Sequence, residues 1–228
     1  MKWTTSTRWG LAAAALCCGL IVIALAELAP QERSGGGWVP FVATRIATNY
    51  DLSGGQRKLV SERVGPYARD ANGSIYYRAV VIFGSGYGGL GEAPAATLQD
   101  RTTGITYRID YAAHEAIIGS RPPAGDAWIP PSPPTAKSWA AEHRASLYRG
   151  TKALDGIEIE GFRGRPSARG LTGEFWNAPA LNYAAVVSKI VDGARHAELD
   201  VALENIQVGV SDPALFRVPA GFKILEHQ

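Results

Sequence analysis

The chain lacks the residue sets on which most catalytic and metal sites depend. Its two cysteines, Cys17 and Cys18, both lie in one apolar run near the start of the chain. Loss of that run would leave no cysteine, which excludes thiol catalysis, disulfides and cysteine-bound metal. No Ser-His-Asp set and no G-x-S-x-G motif is present. The four histidines do not pair at metal-ligand spacing, so we expect surface histidines, no metal and no cofactor: His114, His143, His196 and His227.

The chain also lacks a strong charge bias, a long helical periodicity and an internal repeat. Its 228 residues carry a formal net charge of +2, without a lysine-rich run or a basic stripe. This balance gives no indication of a nucleic-acid partner. The hydrophobic share of 46% and the six tryptophans are enough to form one packed core. We therefore expect a domain held together by its core alone.

The first 26 residues have the plan of a secretory signal peptide. Lys2 and Arg8 precede the apolar run Leu11–Leu25, and Ala24-Leu25-Ala26 forms an A-x-A cleavage site. Cleavage would export the domain to the periplasm or the exterior. The alternative is an uncleaved segment that anchors the chain in the inner membrane. We expect a signal peptide at 1–26, a flexible lead at 27–38 and a β domain at 39–228.

The rest of the chain predicts a mainly β fold. Short runs with a two-residue period alternate with glycine turns such as Asn72-Gly73, Asp155-Gly156 and Asp192-Gly193. A proline-rich insert at 121–135 reads as a stiff connection. We predict a single strongly bent antiparallel sheet, a half-barrel with few short helices. Its strands are expected at 39–50, 57–64, 74–83, 95–100, 105–118, 146–154, 157–163, 171–176, 182–191 and 195–208.

The closing strand has a change of phase. Leu199, Val201 and Leu203 are expected to face the core. The intervening acidic residues are expected to face water: Glu198, Asp200 and Glu204. The next large apolar residues, Ile206 and Val208, fall in the opposite phase. A β-bulge near Glu204-Asn205 would bring both sets to one face.

The segment after this strand reads as a helical turn that seals one end of the sheet. Asp212 is expected to be its N-cap, with Pro213 at the first helical position. Leu215 and Phe216 would then pack onto the sheet.

Three motifs allow a functional and a structural interpretation. Gly84-x-Gly86-x-x-Gly89 follows an apolar strand as in dinucleotide-binding folds, but the glycines that follow favour a loop. Two carboxylate pairs could serve in acid–base chemistry, although their spacing is typical of a solvated strand face: Glu158/Glu160 and Glu198/Asp200. Three arginines of one loop could meet phosphate or an acidic partner, or simply solvate the loop: Arg163, Arg165 and Arg169.

Aromatic residues on the predicted strands suggest an apolar face. A curved sheet must cover such a face with its own chain or with a ligand. The candidate ligand-binding residues are Tyr77, Phe83, Tyr107, Tyr111 and Trp176. No catalytic residue is predicted.

Residues 144–222 contain three sequence motifs that occur together in a group of other proteins. They include G-T-x-x-L-D-G at Gly150–Gly156, E-x-W-x-x-P-x-L at Glu174–Leu181 and D-P-A-L-F-x-V-P-A-G at Asp212–Gly221. This region resembles a group of uncharacterised bacterial exported proteins and is similar in plan to LolA/LolB-like lipoprotein carriers. The resemblance implies an antiparallel half-barrel with a hydrophobic concave face, and it supplies no catalytic residue.

These features together predict an exported, non-enzymatic protein. Its partner would be a lipid or other apolar small molecule, or an envelope protein. The alternatives are a structural or interaction domain whose concave face is filled by its own side chains, and an enzyme without a recognisable site. The membrane would be contacted only through an uncleaved N-terminal segment.

Overall fold

In a computed structural model, the described residues are 37–84, 91–122, 129, 131–144, 146–167, 170–209 and 211–226. The expected signal peptide lies outside them and stays a prediction. Within the described residues, no helix has the length and apolar character needed to cross a membrane.

The described residues form twelve strands and one α-helix. The strands are β1 Phe41–Asp51, β2 Lys58–Arg69, β3 Ile75–Gly84, β4 Gly91–Asp100, β5 Ile105–Asp110, β6 Glu115–Ser120, β7 Leu147–Leu154, β8 Ile157–Arg163, β9 Leu171–Ala178, β10 Ala184–Asp192, β11 Ala197–Val208 and β12 Lys223–Glu226. The helix α1 is Ala136–Glu142, and 3-10 turns occupy Pro179–Leu181 and Pro213–Phe216. This content confirms the mainly β prediction.

All twelve strands belong to one open sheet. Their order is β12-β6-β5-β4-β3-β2-β1-β11-β10-β9-β8-β7. Every neighbouring pair is antiparallel except β12, which runs parallel to β6. Seven of the eleven pairings contain a register shift. Such bulges bend strands, which agrees with the predicted half-barrel.

One predicted strand is wrong. The stretch 105–118 is two strands, β5 and β6, joined by a tight turn. The Asp110 carboxylate accepts from the backbone N–H groups of Ala112 and Ala113 at 2.9 and 3.0 Å, and His114 adopts a φ of 54°. The same arrangement of an aspartate and a left-handed residue four positions later recurs at Asp100–Gly104 and Asp192–His196. A short-range hydrogen bond therefore ends these strands.

The bulge predicted in the closing strand is confirmed. Val42 pairs with Gln207 and Thr44 with Glu204, so β11 has one extra residue at this point. Asn205 takes a left-handed φ of 54° there, and its N–H donates to Asp155 Oδ2 at 2.9 Å. As a result, the phase of the alternation changes after Leu203. Ile206 then packs against the same core cluster as Leu203.

The helical turn predicted after β11 is also confirmed. The Asp212 carboxylate accepts from the Ala214 N–H at 2.9 Å, and Pro213 occupies the first position of a 3-10 turn. Leu215 and Phe216 pack against a cluster of the first half of the sheet, together with Val218 and Phe222.

The sheet has two core clusters on opposite faces. Phe41, Ala43 and Leu203 belong to one cluster, and their register places them on what we name the first face. Tyr76 belongs to the other cluster. It pairs with Ala68, which in turn pairs with Val42, so these three side chains point to the same side of the sheet. Val42 follows Phe41 in β1 and therefore points to the opposite side, the second face. The C-terminal segment packs against the second-face cluster in the first half of the sheet.

The glycine motif does not open a helix in the described residues. Gly84 ends β3 and the chain returns as β4, which is antiparallel to β3. Gly86 and Gly89 lie outside the described residues. An antiparallel hairpin replaces the parallel β-α-β unit that a dinucleotide site requires.

Candidate ligand-binding groove

A groove lies where β1, β11, β10 and β9 run side by side. Cross-strand partners share a face, so the register defines rows of side chains across the four strands. An apolar row runs Ile46, Ala202, Val187 and Trp176. A polar row beside it runs Thr48, Asp200, Lys189 and Glu174. The cavity between them is about 290 Å³, and all its lining residues come from these four strands.

Trp176 forms one wall of this groove and also packs against the first-face core cluster. Its Nε1 donates to Glu174 Oε1 at 3.2 Å, and the Lys152 ammonium lies 3.9 Å from the centre of its ring. Gly161 on β8 faces it from the next strand. A Cβ at that position would come within 2.9 Å of the indole ring and of Arg149 Cβ. The close approach of β8 to Trp176 therefore requires glycine.

A buried carboxylate supports the polar end of the groove. Glu198 is only 6% exposed and accepts from Arg57 Nε at 2.6 Å and from Lys189 Nζ at 2.8 Å. Burial acts to raise the pKa of Glu198, but the hydrogen bonds from Lys189 and Arg57 outweigh it and hold the pKa below its usual value. The prediction that Glu198 faces water is wrong, because Lys189 of β10 and Arg57, just before β2, enclose it.

Asp200 offers an acceptor to the groove. Its Oδ2 pairs with Arg57, whose guanidinium also lies over the Tyr50 ring at 3.5 Å. Its Oδ1 is buried and has no hydrogen-bond partner among the described residues. Asp200 lines the cavity, but this oxygen itself is shielded from solvent. The groove thus combines an apolar floor with a carboxylate at its polar end.

The five aromatic residues predicted to line one face are divided by the fold. Trp176 lies in the groove. Tyr107 and Tyr111 lie at the first-half cluster beneath the C-terminal segment, where Tyr111 meets the Phe222 ring edge-on at 5.7 Å. Tyr77 is on the first face, with the Arg45 guanidinium 5.2 Å from the centre of its ring. Phe83 belongs to β3, in a stretch whose side chains lie outside the described residues.

None of the remaining candidate residues named below lines the groove. Glu158 is exposed on β8, and His114 and His196 stand at turns. His143 stacks on Trp139 of α1 at 3.7 Å. Arg163 and Arg165 line a separate cleft, whereas Arg169 and His227 lie outside the described residues.

The groove residues that the sequence analysis missed are the partners of Trp176. Only the register brings Ile46, Val187 and Ala202 into its row.

Comparisons with known proteins give no family for this chain. No family model and no curated protein matches it. It is similar to an uncharacterized conserved protein from Thermus thermophilus, at 12% identity and a TM-score of 0.42 over 81% of this chain and 91% of that one. A putative outer membrane lipoprotein-sorting protein domain from Vibrio parahaemolyticus gives 8% identity and a TM-score of 0.35 over 78% and 90%.

A further similar structure is the Pseudomonas aeruginosa MucA/MucB complex, at 13% identity and a TM-score of 0.42. That match covers 80% of this chain but only 56% of the other chain. TM-scores below 0.5 at such identities carry no inference about what this chain binds.

Proposed function

We propose that this chain is an exported, non-enzymatic binding protein whose apolar or lipid-like ligand lies against Trp176. The observation that carries the proposal is the apolar row Ile46, Ala202, Val187 and Trp176, exposed in a cavity that only its own strands line. A single acyl chain or a small apolar molecule suits its volume, which is at the lower limit of ligand cavities.

Uneven cover by the C-terminal segment supports a ligand in this half of the sheet. In the first half, Leu215, Phe216 and Phe222 cover the aromatic cluster. The residues that line the groove come from β1, β11, β10 and β9, and none of them belongs to that segment. The proposal assigns the cover of the groove to a partner.

The polar row supports a ligand with a hydrogen-bond donor at one end. Asp200 lines the cavity as a carboxylate whose Oδ2 pairs with Arg57, and Lys189 is already paired with Glu198. An apolar chain that ends in a hydroxyl or an amine would match this arrangement. A lipidated envelope protein could present such a chain.

Displacement of a neutral fluorescent probe tests the proposal. N-phenyl-1-naphthylamine should bind the purified protein and be displaced by dodecanol. V187N places an amide in the floor of the groove and should weaken probe binding by roughly tenfold or more, because apolar contact drives it. The matched control is V208N, which makes the same substitution at the end of β11, where the valine is 50% exposed and lies outside the cavity.

Two results would contradict a ligand site in the groove. If the folded wild type does not bind the probe, or if V187N binds it as well as V208N does, the groove is not a ligand site. A structural or interaction domain would then be the better reading.

A further inference from the structure

The free edge of the sheet at β7 is an exposed surface with apolar side chains. β7 is the last strand in the order, and its outer edge pairs with no described strand. Leu147 and Tyr148, at its start, are 61% and 55% exposed. An edge strand presents unpaired N–H and C=O groups to which another extended chain can add. The strand of eight residues offers roughly 26 Å of such backbone.

Three arginines line a cleft at the start of this edge. Arg144, Arg163 and Arg165 surround a cavity of about 490 Å³, together with Leu147 and Pro166. Within the described residues, none of the three arginines forms an ion pair with a carboxylate. Guanidinium groups bind carboxylates through two parallel hydrogen bonds. The cleft therefore has the chemistry to hold more than one acidic side chain.

The charges along β7 disfavour a second copy of the chain as the occupant. If two β7 strands paired antiparallel over their full length of Leu147–Leu154, Arg149 would stand opposite Lys152 of the other copy. Like charges directly opposite each other destabilise a strand pair. An acidic strand would meet the same side chains favourably.

We propose that the β7 edge and the arginine cleft bind an acidic segment of another protein in extended conformation. The backbone of that segment adds antiparallel to β7, and its carboxylates enter the cleft formed by Arg144, Arg163 and Arg165. Antiparallel addition places the carboxyl-terminal end of the segment at the cleft. The arginine cleft shares no lining residue with the groove at Trp176, so a ligand of either can be tested without the other.

Fluorescence anisotropy with a defined peptide tests this proposal. The probe is a labelled ten-residue peptide of alternating valine and threonine that ends in three glutamates. The wild-type chain should bind it, with an affinity that falls as salt is added. The triple variant R144Q/R163Q/R165Q should bind roughly tenfold more weakly, because it loses charge-assisted hydrogen bonds at exposed positions.

A matched variant separates the effect of the arginine cleft from the effect of the protein's overall charge. R108Q/R195Q/R217Q removes the same number of exposed arginines away from β7, and its affinity should stay within about twofold of the wild type. Circular dichroism melts show whether each variant is folded. V187N should retain peptide binding in full, so that a failure of the groove and a failure of this site are distinguishable.

A second peptide separates strand addition from charge attraction alone. N-methylation of alternate amides blocks backbone pairing and leaves the glutamates in place, so this peptide should bind much more weakly. Equal binding of the methylated peptide, or equal binding by R144Q/R163Q/R165Q and the wild type, would overturn the proposal. Dimerisation in sedimentation, or a preference for phosphatidylglycerol vesicles over the peptide, would overturn it as well.

Discussion

Replacing Glu198 by glutamine tests the buried charge cluster behind the groove. The substitution keeps the size of the side chain but removes the charge that accepts from Arg57 at 2.6 Å and from Lys189 at 2.8 Å. It also directs amide hydrogens towards two cations. A buried hydrogen bond to a charged group contributes about 1.5–3 kcal/mol. Both cationic side chains are nearly half exposed, which reduces this contribution through solvent screening.

The expected loss for E198Q at pH 7 is therefore about 2 kcal/mol in the free energy of unfolding. For a domain of this size that corresponds to a decrease in Tm of about 4–8 °C. The control is E158Q, at an exposed glutamate of β8, which should unfold at nearly the wild-type temperature. The double variant K189M/E198L should recover part of the loss, since a buried ion pair can be replaced by apolar side chains without a large cost.

The pH dependence gives the sharper test. Folding lowers the pKa of Glu198, so its ionised form stabilises the native state above the usual value of 4.5. That contribution is lost as the pH falls below 4.5 and through the lowered pKa. The difference in stability between the wild type and E198Q should therefore shrink in acid. A constant difference between pH 7 and pH 3, or equal stability at pH 7, would refute the assigned role of Glu198.

Three further predictions concern packing and processing. F216A should lower the free energy of unfolding by about 1–3 kcal/mol in a urea titration, less than for a fully buried phenylalanine because Phe216 is half-buried; an unchanged midpoint would contradict its packing role. G161A should cost about 1–3 kcal/mol and alter the fluorescence of Trp176, whereas G54A, where a Cβ meets nothing within 4 Å, should do neither. N-terminal sequencing of the mature protein should begin at Glu27, and a start at Met1 in the membrane fraction would indicate an anchored chain.

Local physics made much of the fold predictable from sequence. The two-residue alternation located nine strands one by one, 105–118 was predicted as one strand in place of β5 and β6, and β12 was not predicted. The phase change after Leu203 predicted a bulge, and Asp212-Pro213 predicted a capped turn, because each depends on neighbours within a few residues. The turn after Asp110 has the same hydrogen bonds as the turn at Asp100–Gly104, but its left-handed residue is His114 in place of a glycine, so the sequence did not mark it.

The candidate sites depended on pairings that no local pattern contains. Trp176 was predicted as a ligand-lining residue, yet its row with Val187, Ala202 and Ile46 exists only through the register of four strands. That row stays a predicted ligand site. Arg163 and Arg165 were grouped in the sequence with Arg169, but the cleft that they form with Arg144, and its position at a free sheet edge, follow from the fold.

By itself, the sequence determined which residues alternate, where the chain turns and where a strand must bulge, since these follow from steric and hydrogen-bonding preferences over a few residues. Only the tertiary structure decided which face each set covers. Alternation distinguishes the two sides of a strand but does not state which one is buried. Glu198 shows the consequence: its pattern is that of a solvated residue, and Arg57, 141 positions away along the chain, makes it a buried anion. Long-range pairing of charges and faces is the physical reason.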